Sequence, residues 1–137
     1  MAANKIFRFG PVALTTTTTT NILNPGTTTG GTASTATPYD KLRITLRHVR
    51  VVNKTNSAAF FALWIGGTGG NAAGTEAIAG GAATVGALNA NTGVSVAANS
   101  VFDWYGLIPI DTTDFLVGGA GTATALTIQG EGEIGVA

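Results

Sequence analysis

An alternating stretch that changes phase constrains this chain more than any other feature. Residues 39–53 read Y-D-K-L-R-I-T-L-R-H-V-R-V-V-N. Leu42, Ile44 and Leu46 fall on one parity; Lys41, Arg43, Thr45 and Arg47 fall on the other. A period of two belongs to a strand with one buried face and one wet face. Val49 and Val51 then carry the apolar pattern on the opposite parity. One extra residue moves every later side chain to the other face, so a β-bulge at Arg47 and His48 restores a single apolar side. The alternative is a strand that ends and turns at His48. With the bulge, Leu42, Ile44, Leu46, Val49 and Val51 are all expected to be buried.

The rest of the chain after residue 39 is punctuated by glycine. Residues 58–65 (A-A-F-F-A-L-W-I) are apolar on both parities, which reads as a core strand or one covered by a partner. Residues 75–79 read as a brief strand or a 3₁₀ turn. Residues 94–98 and 100–107 are further strands, and Pro109, lacking an N–H, marks an edge or a strand end. Residues 111–114 (D-T-T-D) suggest a cap for a turn of helix over Phe115, Leu116 and Val117. In residues 126–136, Leu126, Ile128, Gly130, Gly132, Ile134 and Val136 share one parity, while Thr127, Gln129, Glu131 and Glu133 share the other. The glycines there mark a close backbone approach or a bend. Alanine-rich stretches are interrupted by Gly, Thr and Asn too often for a long helix. Seven or eight short strands with Gly-rich connections predict an all-β fold: an antiparallel β-sandwich or jelly roll.

Residues 1–38 differ in texture. Ile6, Phe7, Phe9, Val12 and Leu14 precede six consecutive threonines, and Ile22 and Leu23 precede the turn signal Asn24, Pro25, Gly26. Residues 27–37 are Thr, Gly, Ser and Ala only. The segment has too little apolar surface for a core of its own. It reads either as a flexible tail or as an extended arm and linker that orders against a partner. Seven large apolar residues are wasteful in a free tail, which favours the arm. The expected division is therefore an arm over 1–38 and a sandwich over 39–137, with Ile6, Phe7, Phe9, Val12, Leu14, Ile22 and Leu23 as partner-binding residues.

Charge and chemistry exclude more than they suggest. Seven basic and seven acidic residues make only 10% of the 137-residue chain charged and leave it neutral. Phosphate-backbone binding needs accumulated positive surface, so no nucleic-acid partner is expected. No run reaches 18 apolar residues, so no membrane-spanning helix is read, and the first 22 residues lack the apolar core of a signal peptide. So little charge favours association. There is no cysteine, hence no disulfide and no thiolate chemistry. His48 is the only histidine, too few for a histidine-built metal site. Serines 57, 95 and 100 lack a nucleophile motif, and the Gly runs lack the Lys-Ser/Thr that grips phosphate. No cofactor and no enzymatic activity are expected. Asn53-Lys54-Thr55 matches a glycosylation sequon. The basic residues Arg43, Arg47 and Arg50 and the acidic Glu131 and Glu133 form a candidate charged contact face, paired either within one subunit or between subunits.

Residues 46–55 (L-R-H-V-R-V-V-N-K-T), 61–67, the Trp104-Tyr105-Gly106 triplet and 131–135 (E-G-E-I-G) resemble small virion proteins of tailed bacteriophages, most closely head decoration (cement) proteins. The resemblance spans roughly residues 39–137. It implies a β-rich module made in the host cytoplasm. That module binds the major capsid protein on the outer capsid surface as a homo-oligomer, with a trimer the first guess, and stabilises the shell by bridging subunits. The alternatives are a tail, neck or fibre-base structural protein and a carbohydrate-binding β-sandwich with Trp64, Trp104 and Tyr105 as stacking residues.

Overall fold

The computed structural model describes residues 5–16, 20–23, 42–68, 76–79, 93–110 and 114–136. They form nine strands and no helix: β1 (Lys5–Ala13), β2 (Thr20–Leu23), β3 (Leu42–Asn53), β4 (Ala59–Thr68), β5 (Glu76–Ala79), β6 (Val94–Val96), β7 (Val101–Ile110), β8 (Asp114–Ala120) and β9 (Leu126–Val136). Two antiparallel sheets pack face to face. The first has the order β1-β9-β3-β7; the second has the order β2-β8-β4-β5, with β6 also pairing β4. The chain is an antiparallel β-sandwich, as its periodicity predicts.

The phase slip in β3 is a bulge. Its register shifts between Leu46 and His48 against both of its neighbours, β7 and β9. Against β9, Arg47 is the extra residue, two steps of β3 facing one; against β7 the extra residue lies on β7, where two steps of β3 face three from Ile108 to Tyr105. Ile44, Leu46, Val49 and Val51 consequently all face the other sheet and are buried. Leu42 belongs to the strand, but its side chain lies outside the described residues. Phe61, Leu63 and Ile65 of β4, Leu116 of β8, and Leu126 and Ile128 of β9 complete this core. Each such side chain contributes roughly 1.5–3 kcal/mol through burial.

Gly130 and Gly132 of β9 mark a close approach. A Cβ on Gly130 would collide with the Phe9 ring and the His48 carbonyl; one on Gly132 would meet the Phe7 ring and the Thr45 carbonyl. The two aromatic rings of β1 thus lie over the bare backbone of its partner strand.

The N-terminal segment corrects the expected division at residue 38. β1 pairs with β9, and β2 pairs with β8, within the same sandwich. Phe9, Leu14, Ile22 and Leu23 are buried in its core, and Phe7 and Val12 pack against that core half-buried. Only Ile6 of the seven expected anchors stays open, at 80% exposure. The missing apolar surface comes from strands about a hundred residues downstream rather than from another molecule. The linker over 24–38 lies outside the described residues.

One smaller expectation also changes. The helical turn over 115–117 is part of β8, which pairs with β2 and β4. Gly118 and Gly119 continue that strand rather than breaking it. The sequon asparagine is a structural hub: Asn53 is 1% exposed. Its amide donates to the carbonyls of Ser57 and Val96, and its Oδ1 accepts from the N–H and hydroxyl of Thr55. With its amide nitrogen so engaged, the folded chain offers no acceptor there for a glycan.

Candidate functional site

The outward face of the first sheet gathers most of the chain's described charged side chains. Two rows cross it. Arg8 of β1, Glu131 of β9, His48 of β3 and Tyr105 of β7 are register partners from edge to edge; beside them run Gln129, Arg50 and Asp103. Because Leu46 points inward and the bulge adds Arg47, both Arg47 and His48 are free to join this face.

Asp103 is the anchor of the cluster. Arg50 Nε donates to its Oδ1 at 2.8 Å and Arg50 Nη2 to its Oδ2 at 3.2 Å, a two-pronged pair. His48 Nε2 lies 2.7 Å from Asp103 Oδ1, and His48 Nδ1 lies 3.5 Å from Glu131 Oε1. The hydrogen bonds from Arg50, then that from His48, hold the Asp103 carboxyl below its ordinary range. The same contact raises the Arg50 guanidinium. Tyr105 stacks on the His48 ring, with centroids 4.5 Å apart and an interplanar angle of 9°. At the next position along the sheet, Arg47 Nη2 donates to Glu133 Oε2 at 3.1 Å.

Four of the five candidate contact residues, Arg47, Arg50, Glu131 and Glu133, therefore come together, and they make their contacts within one subunit. Arg47 and Glu133 bond to each other, Arg50 turns to Asp103, and Glu131 faces His48. Arg43 lies on β3 opposite Gly135 of β9; its side chain is outside the described residues. Sequence reasoning passed over His48, Asp103 and Tyr105 as members of the face. His48 and Asp103 stand 55 residues apart, and only the β3–β7 register joins them.

Two of the three carboxylates on this face are engaged by guanidinium groups, Asp103 by Arg50 and Glu133 by Arg47. His48 is set against Asp103, Glu131 and the Tyr105 ring, with no serine or threonine among its described contacts. Among the described residues, no group of three or more His, Asp or Glu side chains is placed to hold a metal ion. Arg8, His48, Arg50, Gln129, Gly130 and Glu131 line a shallow open depression beside the cluster. The chain matches no family model, and no curated protein and no solved structure matches it.

Proposed function

We propose that this chain is a non-enzymatic structural protein of a phage virion. It binds the major capsid protein on the outer capsid surface and stabilises the shell by bridging subunits. The observation that carries the assembly reading is where the exposed large apolar side chains fall. Ile6, Val101, Tyr105 and Leu107 all sit on β1 and β7, the two edge strands of the first sheet among the described residues. Apolar side chains concentrated at open sheet edges favour docking. The capsid as the partner rests on the resemblance of residues 39–137 to head decoration proteins.

The test is occupancy. Purified protein is mixed with mature capsids lacking it and, separately, with isolated tails. Saturable binding to capsids that raises their melting temperature is the expected result. Binding to tails alone moves the protein to the tail, neck or fibre base, and binding to neither overturns the virion role. A second reading has one observation in its favour: Tyr105 is 70% exposed and held flat by His48, a platform on which a sugar ring could stack. A glycan array with wild type and Tyr105→Ala decides it.

A further inference from the structure

We propose that the first sheet continues from copy to copy, β7 of one molecule pairing antiparallel with β1 of the next to close a ring. This rests on the reading of the chain as an assembly module and names the surface that assembles.

Strand polarity permits it. Each neighbouring pair in β1-β9-β3-β7 is antiparallel. β1 and β3 therefore run one way and β9 and β7 the other. A second molecule's β1 placed beside β7 repeats the same antiparallel pattern. Both strands are edges among the described residues, and each offers a row of backbone N–H and C=O groups. β7 is ten residues long and carries a single charge, Asp103, which Arg50 and His48 hold inside its own sheet. The usual guards of a sheet edge are thus few along it: Pro109 near its end and the register irregularity between Tyr105 and Ile108.

The side chains left open at the two edges complement each other. Ile6, Arg8 and Tyr105 share the outward face with their register partners Glu133, Glu131 and His48; Leu107 has no register partner and is assigned to that face by its exposure and its place two residues from Tyr105. Leu107 is 64% exposed. Arg8 forms no hydrogen bond or ion pair with another described residue. With Ile6 set opposite Leu107, antiparallel pairing sets Arg8 opposite Tyr105 and Phe9 opposite Trp104. Ile6 then covers Leu107. His48 occupies one face of the Tyr105 ring, and the guanidinium of the neighbour's Arg8 meets the other, a cation–π contact. On the inward face, half-buried Trp104, whose ring lies over Gly106, gains Phe9 and Phe7 as neighbours. One register thus pairs three of the four exposed large apolar residues and Arg8. The contact is head-to-tail, so it must close on itself to give a finite particle.

Because the chain has no cysteine, an engineered pair reports unambiguously. In the isolated protein, Ile6→Cys with Leu107→Cys should oxidise to a ladder ending in one ring, matching the mass of the wild-type oligomer by sedimentation. Either single variant should stay unlinked. Dimers from Leu107→Cys alone would mean β7 pairs with its own copy and would overturn the proposal. So would a double variant that stays unlinked under oxidation and with a short bis-maleimide. So would links that form only when capsids are present, since the capsid protein would then be setting the edge. Leu107→Lys and Ile6→Lys, both at exposed positions, should each weaken association at least tenfold without changing the circular dichroism spectrum. An unchanged oligomer in both would refute the interface. A ring that leaves capsids bare would keep this inference and remove the capsid reading; capsids fully decorated by wild-type protein while the double cysteine variant stays unlinked would do the opposite.

Discussion

The two sheets turn very different outer faces away from their shared core. On the first, Arg47, His48, Arg50, Asp103, Glu131 and Glu133 stay near water and satisfy one another through hydrogen bonds. On the second, Trp64, Ala62 and Val117 are buried, with Phe60 packed half-buried against them, in a cluster separate from the core between the sheets. β3 and β4 state the difference in their residues. β3 alternates apolar and polar, whereas β4 is apolar on both parities. A strand of the second kind has two faces to bury, and here both are buried: Phe61, Leu63 and Ile65 toward the first sheet, Ala62 and Trp64 away from it. Stability is therefore expected to reside on both sides of β4 but on only one side of β3.

The largest test of that asymmetry is Trp64→Ala. Trp64 is 5% exposed, and removing a buried indole should cost about 3–5 kcal/mol, read by urea denaturation. A cost below about 1 kcal/mol would mean that the second outer face is as dispensable as a wet one, and the comparison would fail.

Next in size is Asp103→Asn. It weakens the hydrogen bonds from Arg50 and His48, and the cost should be about 1 kcal/mol for a partly exposed charged pair. The pH dependence sharpens it. The folded Asp103 carboxyl sits below its ordinary value of 3.8. Its contribution is therefore fully present above that value and is lost as pH falls through the lower folded value. Wild type should lose more stability than Asp103→Asn as the solution is taken from pH 5 to pH 2. Parallel curves would show that the carboxylate contributes nothing to folding.

The smallest expected effect is at Arg47. Its bridge to Glu133 joins side chains 48% and 31% exposed, and such surface pairs are worth little. Arg47→Ala should shift stability by no more than about 0.5 kcal/mol. A loss above about 1.5 kcal/mol would show that the bulge needs this side chain and not only its backbone.

Much of the sandwich was legible because burial leaves a period. The slip between Leu46 and Val49 had few solutions once one face had to be apolar, and the same alternation set the faces of β9 from Leu126 to Ile134. The N-terminal strands were not legible as part of the fold. Their apolar residues are sparse and threonine-rich, and nothing local says that the surface covering Phe7 and Phe9 is the backbone of Gly132 and Gly130. Gly118 could not be placed locally either. A Cβ there would crowd the Ala62 carbonyl and the Leu63 side chain, so the glycine reports tight packing within a strand rather than a break. At the charged face, Arg47 and Glu133 could be matched from their signs and strand parity. The links of His48 to Asp103 and Tyr105 depend on which strand neighbours which, and a lone histidine carries no trace of its neighbours.

The position of β9 has a consequence for how the molecule is made. It lies between β1 and β3, yet a ribosome produces it after every other described strand. Until residues 126–136 leave the exit tunnel, β1 has no partner in the first sheet and the glycine-bare backbone that receives Phe7 and Phe9 does not exist. The nascent chain must hold β1 in waiting until β9 has been made, because a contact between strands far apart in sequence waits for the later of the two. A stalled product ending before residue 126 would lack the strand that ties β1 into the first sheet, and would be an early substrate for chaperones and proteases rather than a smaller version of the folded protein.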